Sequence, residues 1–233
     1  MKTQMAEDPF DLDRKVLMAA IRTLASHASD AIGKSGFDER VVAAMAKVPR
    51  HEFVPVEAQG LAYANVPLSI GHGKTISQPF MVAVMTDLLK IRPDDSVLEI
   101  GTGLGYQAAI LAELAGTVYS VELNEDLARS AKQRLKRQGH TNIQLRIGNG
   151  FHGWPEHAPF DRIIVTAAPD LIPPPLIYQL KPGGRMVLPV GLPHAQRLLV
   201  ADKDANGRIT TSELMQVLFS ELDDPVEPSS RPS

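Results

Sequence analysis

The 233-residue chain contains no cysteine. Disulfides and thiolate zinc sites are excluded, and the seven histidines lack the H-E-x-x-H spacing that sets two imidazoles on one helical face. No metal site is expected. Excess charge of either sign is missing too: 24 basic and 27 acidic residues leave a formal net charge of -3, with Lys and Arg scattered and no basic stripe to track a phosphate backbone. Nucleic acid is not an expected partner. No apolar run reaches the roughly 20 residues of a membrane-spanning helix. The opening M-K-T-Q-M-A-E-D-P-F-D is acidic and has no hydrophobic segment, so the expectation is a cytoplasmic protein without membrane attachment. A hydrophobic content of 44% over this length suffices for a buried core.

What is present is organised around V-L-E-I-G-T-G-L-G at 97–105. A short apolar strand pattern (96–100) leads into Gly101, Gly103 and Gly105, and residues 106–115 then repeat apolar side chains at helical spacing. Strand, glycine turn and helix together hold a nucleotide-like cofactor, because glycine lets a ligand approach the backbone and the helix start offers free N–H groups. A dinucleotide fingerprint requires a small residue where this chain has Tyr106. Glu99, at the strand end, is a poor neighbour for a pyrophosphate and a good one for a cation. Glu122 closes a second strand pattern (117–122) and is placed to accept hydrogen bonds from ribose hydroxyls, although alone it also reads as an exposed helix acid after a turn. Together these residues favour S-adenosylmethionine, which carries a sulfonium and an ammonium, over a nicotinamide.

Taken in order, residues 12–32 predict one amphipathic helix with Leu12, Val16, Ala20, Ile21, Leu24, Ala28 and Ile32 on its apolar stripe, ended by Gly33. Asp38 caps a second helix through Lys47, with Val41, Val42, Met45 and Val48 inward. Residues 50–73, dense in Gly and Pro, read as a loop folding over a site. Ser77 is an N-cap candidate for a helix with Pro79 in its first turn. Its hydroxyl and that of Thr75 are equally able to bind a substrate, and His72 reads as a solvated loop residue. From Ser96 onward strands alternate with helices, which predicts a parallel sheet with right-handed crossovers. Asn124 caps a helix reaching Gly139, 143–147 and 160–166 are strands, 173–180 is a short helix, and K-P-G-G turns into a strand over 185–189. Asn149, in the turn Gly148-Asn149-Gly150, either pairs with an adenine amino group or serves the turn alone.

Asp202, Asp204, Asn206, Gly207 and Glu213 match the calcium-loop pattern D-x-[DN]-x-[DN]-G-x5-E. That loop needs a helix on each side, and Q-R-L-L-V-A before Asp202 does not provide one. The preferred reading is a hairpin turning at 204–207, with calcium binding through 202–213 as the lesser alternative.

Five segments carry a resemblance to a known family: M-A-K-V-P-R-H-E-F-V-P (45–55), G-H-G-K-T-I-S-Q-P-F-M (71–81), V-L-E-I-G-T-G-L-G-Y (97–106), F-D-R-I-I-V-T-A-A-P (160–169) and L-K-P-G-G-R-M-V-L-P-V-G (180–191). The glycine turn is generic, while the T-I-S-Q-P and V-P-R-x-x-F-V blocks resemble the protein-L-isoaspartate O-methyltransferases. The resemblance implies an α/β, Rossmann-like S-adenosylmethionine-dependent methyltransferase fold. Its mostly parallel central sheet has helices on both faces, an N-terminal helical cover and a C-terminal antiparallel hairpin. One domain over 1–222 is expected: helices and active-site loop in 1–95, cofactor core in 96–191, hairpin in 192–222, and a disordered tail at 223–233. The implied reaction methylates the free carboxylate of L-isoaspartyl residues in damaged proteins, by a monomer. Ser77 resembles the family's active-site serine. Thr75, Ile76 and Ser77 border cofactor and substrate; Glu99, Gly101, Gly103 and Gly105 line the methionine end; Glu122 holds the ribose; Asn149 and Gly150 hold the adenine; Thr102 and Leu123 are further cofactor-binding positions. The family's usual Gly-Asp-Gly is Gly148-Asn149-Gly150 here, and its V-R-F-V-P-L is replaced by Val217-Leu218-Phe219-Ser220-Glu221-Leu222, which alters the substrate-side wall and keeps a small-molecule acceptor as an alternative. No catalytic dyad is expected, because a carboxylate with a pKa of about 4 is already nucleophilic at neutral pH.

Overall fold

In the structure, a computed structural model that describes residues 8–224, the N-terminal cover begins with α1 (Asp11–His27). Its buried residues are Leu17, Met18, Ile21 and Ala25, a stripe turned away from the expected one: Leu12 and Val16 are 71% and 60% exposed. Apolar residues stand on more than one side of this helix, and the side that packs on the rest of the cover is the one buried. The helix stops at Ala28, and α2 (Ser29–Ile32) ends on Gly33 in the left-handed region, so the expected single helix is two. The Asp38 side chain caps α3 (Glu39–Lys47) by accepting from the Arg40 N–H at 2.9 Å.

Residues 50–76 are more ordered than the expected loop. Two 3-10 turns, Arg50–Phe53 and Val56–Leu61, precede an antiparallel hairpin of β1 (Leu68–Gly71) and β2 (Lys74–Ile76). His72 and Gly73 link the strands with φ of 53° and 68°, the pair of positive values a type I′ turn requires. Ser77 does not cap the next helix, α4 (Pro79–Leu88). Gln78 holds the cap position without a side-chain bond, and the free Phe80 N–H donates instead to Asn65 Oδ1 at 2.9 Å. A residue fifteen positions upstream replaces the local cap. Only Met81 of α4 escapes full burial, because this helix lies between the cover and the sheet.

Five strands form the parallel part of the sheet: β3 (Ser96–Ile100), β4 (Thr117–Glu122), β5 (Ile143–Ile147), β6 (Phe160–Val165) and β7 (Leu180–Val190). Two antiparallel strands, β8 (Gln196–Lys203) and β9 (Ile209–Val217), complete the order β5-β4-β3-β6-β7-β8-β9. Between them run α5 (Tyr106–Ala112), α6 (Glu125–Arg137, capped by Asn124) and α7 (Pro174–Gln179). β7 begins earlier than expected: K-P-G-G lies inside it, at an irregularity in its pairing with β6. The winding direction reverses between β3 and β6, which opens a crevice at their carboxyl ends, the place where ligands bind in sheets of this kind.

The calcium reading is overturned. Asp202 lies in β8, where Arg185 donates to both its oxygens at 2.7 and 2.8 Å. Asp204 Oδ1 accepts the Asn206 and Arg208 N–H groups inside the turn, and Glu213 faces Leu199 across the ladder. Strands flank this loop where a calcium hand needs helices. The tail expected from Asp223 begins with placed residues: Lys74 Nζ pairs with Asp223 at 2.6 Å, and Asn149 Nδ2 donates to Asp224 at 2.8 Å. Residues 225–233 of that tail lie outside the described residues.

Candidate active site

The glycine turn fills the crevice beyond β3. Gly101 has φ of 93°, and a Cβ there would come within 2.5 Å of Thr166 Oγ1, whose hydroxyl faces the carbonyls of Ile100 and Gly101 at 3.0 and 2.7 Å. Only glycine admits this contact. Gly103 (φ 55°) donates its N–H to Glu122 Oε2 at 2.8 Å, while Glu122 Oε1 accepts from the Asn124 N–H at 3.0 Å. Each carboxylate oxygen keeps a lone pair for a ligand hydroxyl. Beside the turn is a cavity of about 80 Å³ whose lining includes Thr75, Gly101, Gly103, Glu122, Leu123 and Gly150. Gly105 does a different job: a Cβ there would press on Leu135 at 3.1 Å, so it lets α5 pack on α6 and does not line the cavity.

Glu99 is completely buried at the end of β3. The Ser120 hydroxyl donates to its Oε2, and Thr102 Oγ1 continues the chain to Ser120 at 2.5 Å. Oε1 has no partner. Burial pushes this carboxyl up to about 8, the Ser120 bond opposes the shift, and the nearby Glu122 adds to it. Glu99 lines neither the cavity nor the recess on the other side of the turn; it is linked to the turn only through Ser120 and Thr102.

Thr75, Ile76, Ser77, Gly101, Thr102 and Gly103 come together around a smaller recess of about 50 Å³ on the other side of the turn. Beyond it a groove of about 350 Å³ runs between the Ser77 segment and the chain after β9, with Met81, Leu218 and Phe219 among its walls. Thr75 and Thr166 line the cavity, the recess and the groove alike, so the three spaces meet at these two residues. Ser77 lines the recess and the groove. Of the adenine-side pair, Gly150 lines the cavity, whereas Asn149 spends its side chain on the Phe151 N–H at 2.9 Å and on Asp224.

Several lining residues are absent from the sequence-based set. Thr166 stands at the end of β6 in a segment that carried the resemblance, which was the available signal. The segment 220–222 gives no local signal. It reaches the site by bridging to Ala168, which donates its N–H to Ser220 O and accepts from the Leu222 N–H, both at 2.8 Å.

The described residues contain no helix long and apolar enough to cross a membrane. Residues 28–227 match the family model described as protein-L-isoaspartate(D-aspartate) O-methyltransferase. A protein-L-isoaspartate O-methyltransferase 1 of a Polaromonas species is 59% identical over 94% of this chain and 93% of its own length, and a protein-L-isoaspartate O-methyltransferase 2 of Syntrophobacter fumaroxidans is 54% identical over 93% and 88%. Among solved structures, a protein-L-isoaspartate O-methyltransferase superposes with a TM-score of 0.78 at 26% identity, covering 91% of this chain and 66% of that one. A Plasmodium falciparum chain solved with S-adenosyl-L-homocysteine shares the fold at a TM-score of 0.76 and 24% identity, covering 90% of this chain and 98% of its own. A glycine turn bonded to the buried Glu122 carboxylate, a groove lined by Ser77 and a match over nearly the whole chain lead to one conclusion: the chain belongs to the protein-L-isoaspartate(D-aspartate) O-methyltransferase family, S-adenosylmethionine-dependent enzymes that methylate a carboxylate.

Proposed function

We propose that this enzyme methylates L-isoaspartyl residues of damaged proteins, with the donor in the cavity beside the glycine turn and the acceptor in the groove beside Ser77. The carrying observation is that Thr75 and Thr166 line both spaces, so donor and acceptor meet over a short path. The residues present fit the cofactor. The Glu122 oxygens retain acceptor capacity and Gly101 and Gly103 present bare backbone to the cavity, while Glu99, with one unpartnered oxygen, is a buried acid linked to the turn through Ser120 and Thr102. When bound, S-adenosylmethionine supplies an electrophilic methyl group on a sulfonium.

The chain's own residues then have limited work. An acceptor carboxylate with a pKa of about 4 is ionised at neutral pH, so no side chain must remove a proton. What remains is placement, which contributes roughly 7–11 kcal/mol in well-held reactions. Ser77 and Thr75 orient the carboxylate, Thr166 fixes the carbonyls at the end of β3, and residues 220–223 cover the cavity and exclude water. The groove, at about 350 Å³, is larger than the donor cavity of about 80 Å³, which supports a peptide acceptor. Monomeric action in the cytoplasm, without nucleic acid or membrane partners, belongs to the same proposal; a cysteine-free chain with little net charge supports it.

The test is methyl transfer from labelled S-adenosylmethionine to paired isoaspartyl and aspartyl peptides. Base-labile label on the isoaspartyl peptide alone is expected. Label on neither peptide, with transfer to a small carboxylic acid, would overturn the protein-repair reading.

A further inference from the structure

Arg50 is a charged side chain with no exposed surface, and among the described residues it forms no ion pair. Burying a guanidinium without a carboxylate is expensive, so its remaining partners matter. Nε donates to the Ala62 carbonyl at 2.9 Å, Nη2 donates to the Ser77 carbonyl at 2.8 Å, and the guanidinium lies 4.9 Å from the centre of the Tyr106 ring. Nη1 has no partner. The three segments it touches surround the site. Ala62 leads into Asn65, which holds the Phe80 N–H and accepts from Gln78 Nε2 at 2.9 Å; Ser77 heads the acceptor groove; Tyr106 starts the helix that follows the glycine turn. The planar fork spans two carbonyls that point from different segments, a geometry a single ammonium does not reproduce.

We propose that Arg50 is a positioning residue for methyl transfer: by holding the Ser77 carbonyl against the Tyr106 helix, it sets where the acceptor carboxylate lies relative to the donor cavity. The inference rests on the reading of Ser77 as the residue beside the acceptor. It ties the V-P-R-x-x-F-V and T-I-S-Q-P blocks to each other, 27 residues apart at Arg50 and Ser77.

The experiment compares R50M, R50K, S77A and the double variant R50M/S77A, using three readouts. Amide hydrogen exchange over 75–78 reports the clamp, S-adenosylhomocysteine titration counts intact donor sites, and kcat and KM on an isoaspartyl peptide report transfer. R50M should raise exchange over 75–78 at least tenfold while β3 and β6 stay protected. Its kcat per titrated site should fall roughly 10- to 100-fold with KM changed less than about threefold, and R50M/S77A should be no slower than S77A alone. R50K, the variant retained if R50M does not fold, keeps the cation and should show the same faster exchange and reduced kcat. Unchanged exchange over 75–78, an unchanged kcat per titrated site, or losses that multiply in the double variant would each overturn the clamp. An S77A enzyme with undiminished kcat would instead overturn the reading of Ser77, while the exchange rates still decide separately whether Arg50 holds the segment.

Discussion

Replacing Glu99 by Gln probes the buried acid linked to the glycine turn without changing its shape. The carboxyl is pushed from 4.5 up to about 8, first by burial, with the Ser120 bond opposing and Glu122 adding. The folded chain therefore holds this proton more tightly than the unfolded chain does. Its contribution to stability is complete below about pH 4.5 and is lost as the pH rises through about 8. With about 1.4 kcal/mol per pKa unit, these two values imply a loss on the order of 2–3 kcal/mol between pH 5 and pH 7 in the absence of donor. Glutamine keeps an acceptor for the Ser120 hydroxyl and cannot ionise, so E99Q should escape this part of the pH dependence. Urea unfolding at pH 5, 6, 7 and 8 measures it: the stability of E99Q relative to the parent should rise by about 2–3 kcal/mol from pH 5 to pH 7. Parallel curves would refute the reasoning. Calorimetry on the same pair at pH 9, where the parent carboxyl has lost its proton and is a negative neighbour for the cation, should show S-adenosylmethionine binding weakened roughly tenfold or more in E99Q.

S77A should lower kcat/KM on an isoaspartyl peptide roughly 10- to 100-fold, the range of one hydrogen bond to a carboxylate, while the S-adenosylhomocysteine affinity stays within about threefold; steady-state kinetics and calorimetry check the two halves. G103V places a β-branched residue at φ 55° with its Cβ 3.2 Å from Ile70 Cδ1 and lets its side chain crowd the cavity, so donor binding should fall by roughly 100-fold or more in a chain whose circular dichroism is unchanged. D38A removes the cap on the Arg40 N–H and should cost about 1 kcal/mol in urea unfolding, with kcat untouched, because α3 lies outside the site.

The parallel core was legible because its signals are local. Each strand is a short apolar run followed by a turn residue, and Asp38 and Asn124 cap their helices through their own side chains. The hairpin at 204–207 was legible for the same reason, since Asn-Gly sets its own turn. What failed to show were features settled by distant partners. The exposure of Leu12 and Val16 depends on which side of α1 the cover buries. The true cap of α4 comes from Asn65, and the 180–184 stretch joins β7 through one distant pairing, Leu180 with Phe160, ahead of an irregularity. At the cavity, Glu122 and the glycines at 101 and 103 were legible from the strand-and-turn pattern, whereas Glu99, from the same pattern, is fully buried and lines neither the cavity nor the recess. Gly105 shared their pattern for a packing reason, Asn149 is engaged by Phe151 and Asp224, and Thr166 and residues 220–223 reach the cavity only through tertiary contacts.

The central claim is that donor and acceptor meet at Thr75 and Thr166, with the carboxylate beside Ser77. A crystal structure of the enzyme with S-adenosylhomocysteine and an isoaspartyl peptide tests it directly. The expected result places the spent donor between the 101–103 turn and Glu122, its sulfur toward the Thr75–Thr166 junction, and the peptide carboxylate within hydrogen-bond reach of Ser77. A spent donor found away from that turn, or a carboxylate bound outside the groove, would contradict the account.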